Sequence, residues 1–431
     1  MRGPARCAGP RRQAVGYARV VRDTDLYAQI LGVREPWTVT QVHLDMPGKR
    51  VEVTLEHRSG AALHCPECGA ACPGYDTRHR EWRHLDTCQF ETVLIAEVPR
   101  SDCAAHGPLQ VAVPWAEAGS RFTALFEALV IDWLHEASIS GVARQLRLTW
   151  DEADGIQGRA VRRGLARRER KLPTRIGVDE TSFQKRHEYV TVVIDQVEGN
   201  VVHVADDRRQ ASLETYLASH PAEERAAVET VAMDMHRPYI QAVEATIPVA
   251  ALKICFDKFH VASHLGQAVD RVRREENRAL RTDGDDRLKR SKYLWLTHPE
   301  HLSEDRWASF AALRESTLKT ARAWAIKELA MELWRYRSHA WGARAWKRWL
   351  GWALRTRLEP IVRVARMIRN HLLGILNAMV HGITNARSEG VNAKIQWIKY
   401  TSRGFRNRER FRNAIYFHLG GLDLYPAGIA R

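Results

Sequence analysis

Two short apolar runs each carry an acid where a buried strand should hold none. Arg175-Ile-Gly-Val-Asp179-Glu-Thr-Ser-Phe183 reads as a strand with an acid in its middle, and Thr230-Val-Ala-Met-Asp234 as a strand with an acid at its C-terminal end. An isolated buried carboxylate is expensive, so two facing each other need a cation. Magnesium (or manganese), with its preference for oxygen ligands, is the expected choice.

The flanking segments give this pair a setting. Residues 187–199 and 200–208 read as a second and third strand around the turn at Gly199-Asn200. A helix is expected over 211–220, another opens at Pro238, and 251–261 reads as a further strand. Three hairpin-linked strands, a helix, a strand, a helix and a strand follow the order of an RNase H-like fold. In that fold the first and fourth strands are neighbours, so Asp179 and Asp234 are expected to meet at one edge of the sheet.

A third acid lies far downstream, in a helix entered at Asn385. Val391, Ile395 and Ile398 make an apolar stripe, with Glu389, Asn392 and Gln396 on the other side. Packed by its stripe, this helix presents Glu389 toward the metal. Otherwise Glu389 is a surface acid.

Five of seven cysteines cluster in one short early segment, at 65, 68, 72, 88 and 103. With no export signal, such clustering reads as metal binding rather than as a disulfide scaffold. Cys65-Pro-Glu-Cys68-Gly69 and Cys103-Ala-Ala-His106-Gly107 place paired ligands two residues apart, on turns that aim both at one tetrahedral ion. Two such knuckles make a structural zinc ribbon with ligands Cys65, Cys68, Cys103 and His106. Cys72, Cys88, His64, His79 and His84 are alternative ligands. Residues 37–58 alternate around a Pro-Gly turn as a hairpin, and 90–98 reads as a strand leading into the second knuckle.

Residues 139–163 read as a helix-turn-helix. Ile139, Val142, Ala143 and Leu146 share a face, Arg147-Leu148 makes the turn, and Thr149 with Glu152 forms a capping box. Asp151, Glu152 and Asp154 open the second helix and would repel phosphate, which leaves an ordinary helical hairpin as the other reading. Between Arg159 and Lys171 stand seven basic residues and one acid, read as a phosphate-contacting linker that includes Arg159, Arg162, Arg163, Arg167 and Arg168. A second basic run, with Lys394, Lys399, Arg403 and Arg406, has Glu409 as its only acid through Arg412. The net charge of +15 (66 basic, 51 acidic side chains in 431 residues) accordingly points to nucleic acid. No stretch approaches the ~18 apolar residues of a membrane span. The Arg-rich start through Arg22 has no signal-peptide core and reads as a basic arm.

Together, G-V-D-E-T at Asp179, A-M-D-M-H-R-P-Y at Asp234, C-F-D-K-F-H-V at Asp257 and N-A-R-S-E-G-V-N-A-K at Glu389 resemble the DDE transposases of bacterial insertion sequences, the ISL-three family most closely. The CPECG knuckle, the helix-turn-helix and the tail from Gly404 to Gly420 resemble that family in the same order, so the likeness spans roughly residues 24–420. His106 departs from the pattern, standing where a cysteine is more usual. The resemblance implies that Asp179, Asp234 and Glu389 are a metal-binding catalytic triad. It also implies that an all-helical insertion positions DNA ends, and that the chain works as a homo-oligomer.

The expected organisation is α/β: an RNase H-like catalytic domain (173–269 and 375–420) with a helical insertion (270–374). A basic arm (1–23), a zinc ribbon (24–115) and a helix-turn-helix with its basic linker (116–172) precede it. The insertion holds eight of the fourteen tryptophans, at 295, 307, 324, 334, 341, 346, 349 and 352. They are expected to form its core, with some rings free to stack on DNA bases. The expected activity is cleavage and strand transfer on double-stranded DNA, at terminal inverted repeats and target, by three carboxylates holding two magnesium ions about 3.5–4 Å apart. His236 and His260 are expected to be structural or phosphate-contacting. A cytoplasmic, nucleoid-associated protein with no membrane partner follows. The alternatives are a zinc-ribbon DNA-binding regulator, which would not need all three acids, and a catalytically inactive domesticated relative.

Overall fold

A computed structural model of the chain describes residues 22–184, 188–297, 299–383 and 386–429. The basic arm, His187 and Asn385 lie outside the described residues. The chain forms two compact units, one of residues up to 156 together with those from 424 onward, the other of residues 157–423.

The first unit is built on a five-stranded sheet. Strands β1 (Trp37–Asp45) and β2 (Arg50–His57) form the expected antiparallel hairpin. Short β3 (Leu63–His64) and β4 (Ala71–Cys72) pair around the first knuckle. Then come β5 (Gly74–Thr87), β6 (Phe90–Cys103) and β7 (Gly107–Gln110), with β6 lying between β2 and β5. The expected strand at 90–98 runs on to Cys103 because β7 folds back on its end, with Cys103 opposite Gly107. Val51, Val53 and Leu55 alternate inward and pack with Trp82, Leu94, Ala96 and Val98. Trp115 sets its ring edge-on to Trp37 and Trp82, at 4.9 and 5.4 Å.

Helix Ala124–Glu136 follows, then the pair Ile139–Leu146 and Trp150–Arg167. Ser138 caps the first of the pair, and Arg147 turns the chain in the left-handed region (φ 56°). The capping box forms as the spacing predicts: Glu152 N donates to Thr149 Oγ1 at 3.2 Å, and Thr149 N to Glu152 Oε2 at 2.9 Å.

In the second unit the sheet order is β10-β9-β8-β11-β12. Strands β8 (Arg175–Gln184), β9 (Glu188–Asp195) and β10 (Val201–Ala205) are antiparallel neighbours, while β11 (Thr230–Met233) and β12 (Ile254–Phe256) run parallel to β8. Two expectations need correction. The strand read over 251–261 has only three residues, because the chain is helical at Ala250–Lys253 and again from Lys258. Asp257 ends that strand as the N-cap of the long helix Lys258–Thr282, since Phe259, His260 and beyond follow a helical period. The run from Arg159 to Arg167 is helix rather than linker; its Ala160 and Val161 are buried.

Among the described residues, seven helices between Lys258 and His381, interrupted by 3-10 turns, hold the tryptophan-rich segment. Trp295, Trp324, Trp334, Trp346 and Trp349 are buried, as a core reading requires, whereas Trp307, Trp341 and Trp352 are exposed. One hydrophobic core runs from Ile176 and Val231 of the sheet through Phe256 to Trp346 and Ile375. Helix Leu372–His381 reaches the sheet through Gly374, whose Cα lies so close to the Phe256 ring that no larger residue fits.

Candidate active site and Cys-His cluster

Parallel pairing of β8 with β11 sets Thr230 beside Arg175 and Ala232 beside Gly177. Two residues further along each strand stand Asp179 and Asp234. They meet in the middle of the sheet rather than at a lateral edge, Asp179 midway along β8 and Asp234 just past the C-terminal end of β11. Backbone N–H groups hold one oxygen of each: Glu180 N donates to Asp179 Oδ1 at 2.7 Å, and His236 N to Asp234 Oδ1 at 3.0 Å. Burial pushes the Asp179 carboxyl up to about 6, and the Asp234 charge adds to this, while the Glu180 N–H and the field of His260 oppose it. His264, one turn beyond His260, is held below its usual range by burial and by His260, with Asp234 pulling the other way.

The helix Ala386–Thr401 carries Glu389 and lies along β8. Val391, Ile395 and Ile398 are buried as the stripe predicts. A ladder of polar contacts fastens the adjoining face. Gln196 Nε2 donates to Ser388 Oγ at 2.8 Å, Asn392 Nδ2 to Asp179 Oδ2 at 2.7 Å, Gln396 Nε2 to Thr181 Oγ1 at 2.8 Å, and Lys399 Nζ to Ser182 Oγ at 3.1 Å. Four helical residues advance about 6 Å and two strand residues about 6.6–6.8 Å, so helix and strand stay in step over these rungs. Gly177 makes the first rung possible. A Cβ there would collide with the Gln196 amide and lie 2.9 Å from Ser388 Oγ.

Glu389 itself is exposed. Among the described residues the three acids do not draw their oxygens into one ligand cluster; the helix approaches Asp179 through Asn392, one turn from Glu389. The surroundings fit a hard cation. Two carboxylates stand on neighbouring strands, and Asn392 Oδ1 is buried with no hydrogen-bond partner among the described residues. A buried acceptor left without a partner beside the half-buried Asp179 carboxylate is costly and is satisfied by an ion or its water shell. His236 Nδ1 is a second buried atom without such a partner, its ring edge-on to Tyr239 at 4.8 Å.

The basic residues divide. Arg168 turns inward, its guanidinium donating to the carbonyls of Val201, Val202 and Gly420, and Arg167 pairs with Asp423 at 2.7 Å. Lys399 is spent on Ser182, and burial lowers its pKa. These three do not offer the free charge that their spacing suggested. Lys394, Arg403 and Arg406 are exposed and form no ion pair among the described residues, while Arg159, Arg162 and Arg163 lie on the helix Trp150–Arg167. Sequence reasoning placed Asn392 on the correct side of its helix but missed its bond to Asp179. It missed Gln196 and Ser388 altogether, for which only the glycine at 177 was a signal.

In the first unit, the ligand atoms of Cys65, Cys68, Cys103 and His106 all lie within 4.8 Å of one another. Cys68 and Cys103 sulfurs are 3.8 Å apart, and His106 Nδ1 is 3.6 Å from the sulfurs of Cys65 and Cys103. Around a tetrahedral zinc, bond lengths of about 2.3 Å (sulfur) and 2.0–2.1 Å (nitrogen) give edges of about 3.8 and 3.6 Å. The set fits zinc. Backbone N–H groups of Ala105 and His106 bring the Cys103 thiol down to about 7, favouring the thiolate. Gly69 and Gly107 close the two knuckles at φ 73° and 69°, where a side chain is strained. The alternative ligands are engaged elsewhere or exposed: Cys72 on the Ala70 carbonyl, His79 on Glu97, His84 on Thr123, His64 on the Gly69 carbonyl. Cys88 is exposed.

No helix among the described residues is long and apolar enough to cross a membrane. Three family models match the chain in sequence. Residues 62–106 match a zinc-finger of transposases, 111–160 the helix-turn-helix domain of transposase family ISL3, and 176–415 the ISL3 transposase model. The transposase for insertion sequence element IS1557 of Mycobacterium tuberculosis is 30% identical over 90% of this chain and 93% of its own length. The transposase for IS1001 of Bordetella parapertussis is 25% identical over 85% and 90%. The transposase model alone spans more than half of the sequence, and the chain belongs to the ISL3 family of insertion-sequence transposases.

Proposed function

We propose that the second unit is an RNase H-like nuclease and strand-transfer domain in which Asp179, Asp234 and Glu389 hold divalent magnesium or manganese. The observation that carries this reading is the side-by-side placement of Asp179 and Asp234, with the Glu389 helix tied to Asp179 by Asn392. The strand order, three antiparallel strands and then two parallel to the first, supports the fold. When bound, the ions supply Lewis-acid activation of the attacking oxygen and neutralise charge on the leaving oxygen of a phosphodiester.

The chain's own residues do the rest. Asp179 and Asp234 each keep one oxygen on a backbone N–H, which fixes the direction of the other. Asn392 orients Asp179, and the half-buried His236 and the buried Tyr239 keep the floor of the site rigid; the Tyr239 hydroxyl meets Thr191 Oγ1 at 2.8 Å. Lys394, Arg403 and Arg406 face the sugar-phosphate backbone. Water attacks first to free a 3′-hydroxyl at the element's terminal inverted repeat; that hydroxyl then attacks target DNA. In the first unit, Cys65, Cys68, Cys103 and His106 hold a structural zinc with no open coordination position, and the helix-turn-helix contacts the repeat. The domain order is that drawn from the sequence, with the tryptophan-rich helices as insertion; the helices Lys258–Thr282 and Leu372–His381 run across the limits drawn at 269/270 and 374/375 and would join the insertion to the catalytic sheet. Paired element ends call for a homo-oligomer.

The deciding experiment is Asp179→Asn on the full chain with a duplex bearing the terminal inverted repeat. Cleavage in magnesium should fall by about a thousandfold or more, the loss of several kcal/mol of transition-state stabilisation. Repeat binding should stay within about twofold. A variant that still cuts and joins DNA overturns the assignment.

A further inference from the structure

The Glu389 helix has three faces, and two are accounted for. Val391, Ile395 and Ile398 are buried, and Ser388, Asn392, Gln396 and Lys399 bond to β8 or to Gln196 beyond β9. The third face carries Trp397, 60% exposed, and Tyr400, 83% exposed, the most exposed large apolar side chain among the described residues. At 100° per residue, Tyr400 projects within about 20° of Glu389 and Trp397 within about 80°, some 16 and 12 Å further along the axis.

Two other exposed tryptophans are covered by a cation. Arg314 lies over Trp307 at 5.2 Å and Arg344 over Trp341 at 5.8 Å. Neither Trp397 nor Tyr400 contacts another ring or a cation of its own chain among the described residues. Around them stand Lys394, Arg403 and Arg406, exposed and without ion pairs among the described residues, whereas Arg408 and Arg412 further on are paired with Glu188 and Asp206. Bare aromatic faces among unpaired cations are the chemistry of single-stranded nucleic acid: cations track the phosphates and rings take the bases.

We propose that Trp397 and Tyr400 form a stacking platform for nucleobases unpaired at the DNA end held by Glu389. The proposal rests on the reading of Glu389 as an active-site acid. At about 3.4 Å per nucleotide, 12–16 Å places the platform four to five nucleotides from the scissile phosphate. It captures bases released as the duplex end opens, and so holds the strand in place.

The test uses the full chain and an inverted-repeat duplex with 2-aminopurine in turn at the first six positions from the cleavage site. Wild type and Asp179→Asn should both change 2-aminopurine fluorescence at the fourth or fifth position. Trp397→Ala and Tyr400→Ala should abolish that change and slow cleavage of the fully paired end by about tenfold each, the range of one lost base stack. On an end whose terminal bases are already mismatched, the Ala variants should recover most of their cleavage, and Trp397→Phe and Tyr400→Phe should behave nearly as wild type. Asp179→Asn should cleave neither end. Ala variants that match wild type in fluorescence and in cleavage of paired ends overturn the platform. So does a loss confined to sedimentation, with dimers falling to monomers and DNA signals unchanged, which would assign this face to a second copy of the chain. If Asp179→Asn still cleaves, the active-site reading fails separately.

Discussion

In the first unit four ligand atoms converge within 4.8 Å; in the second, the three acids come from two neighbouring strand segments and a helix and do not gather into such a cluster among the described residues. The two sites differ in what their ligands do to one another when no ion is bound. Thiols and an imidazole can be neutral, so tight turns bring them together without repulsion. Carboxylates near neutral pH repel, and the burial that raises Asp179 to about 6 shows how poorly its charge is compensated. The protein answers with a neutral donor: the Asn392 amide, not a lysine or arginine, lies against Asp179. A cation there would neutralise the acid and compete with a metal, whereas an amide orients it and leaves its charge available.

This contrast predicts opposite responses to ligand loss. Removing zinc by chelation, or substituting Cys65→Ser, should unfold the ribbon, because zinc binding in such knuckles is worth about 10 kcal/mol or more. Elemental analysis should find one zinc per chain in wild type and much less in the variant, with loss of near-ultraviolet signal from Trp37, Trp82 and Trp115. Removing magnesium should cost the second unit little of its melting temperature, since its core forms without the ion, whereas Asp179→Asn should leave it unchanged or higher, since a poorly compensated charge disappears. A ribbon that stays folded without zinc, or a second unit that melts without magnesium, breaks the comparison.

Asn392→Ala probes the second site more finely. It leaves all three acids in place and removes only the group that orients Asp179. Metal affinity, measured by manganese binding to the full chain, and cleavage rate should both fall by about 10–100-fold, as for other partners of metal ligands. Loss of cleavage with unchanged manganese affinity would mean that Asn392 acts on DNA instead.

What the sequence made legible follows the same division. Both knuckles, the capping box, the first hairpin and the acid-bearing strands lie in short windows where spacing alone determines geometry. The apolar stripe of the Glu389 helix was readable for the same reason. The polar rungs were not, because Gln196 and Ser388 are 192 residues apart and each is an ordinary polar residue in its own window. Arg168 and Lys399 misled for a related reason: composition shows a charge but not the carbonyls of Val201, Val202 and Gly420, or the Ser182 oxygens, that absorb it. Strand β12 was overextended because Phe259, His260 and Val261 suit a strand as well as the first turn of a helix, and tertiary packing decided.

Gly177→Ala tests whether the rungs carry weight. The added methyl must displace the Gln196 amide from Ser388, so the second unit should lose about 1–3 kcal/mol, the usual cost of overpacking. Cleavage should fall as the Glu389 helix shifts, with zinc content unchanged. A variant equal to wild type in denaturant midpoint would show that the helix is held by its apolar stripe alone.

The smallest effect concerns acid. Each unit buries one imidazole driven down to about 4, His84 in the first and His203 in the second, in both cases chiefly by burial. His203 stacks on Tyr216 at 4.1 Å, and Arg412 and His220 add to the depression while Asp206 opposes it. A histidine whose folded pKa lies below its unfolded value of 6.5 contributes stability that is complete above 6.5 and is lost as pH falls toward 4. For His203 the loss at pH 5.5 amounts to about 1 kcal/mol. His203→Phe keeps a flat ring on Tyr216 and removes the titration. The second unit of the variant should therefore lose about 1 kcal/mol less between pH 7.5 and 5.5 than wild type, read from denaturant midpoints with a probe in that unit. The first unit adds thiolate protonation and zinc release to the His84 term, so its acid transition should be steeper and should move with zinc concentration. That of the second unit should not. Equal zinc dependence in both units would mean that they unfold together, and the contrast between a closed soft site and an open hard one would then have no separate thermodynamic expression.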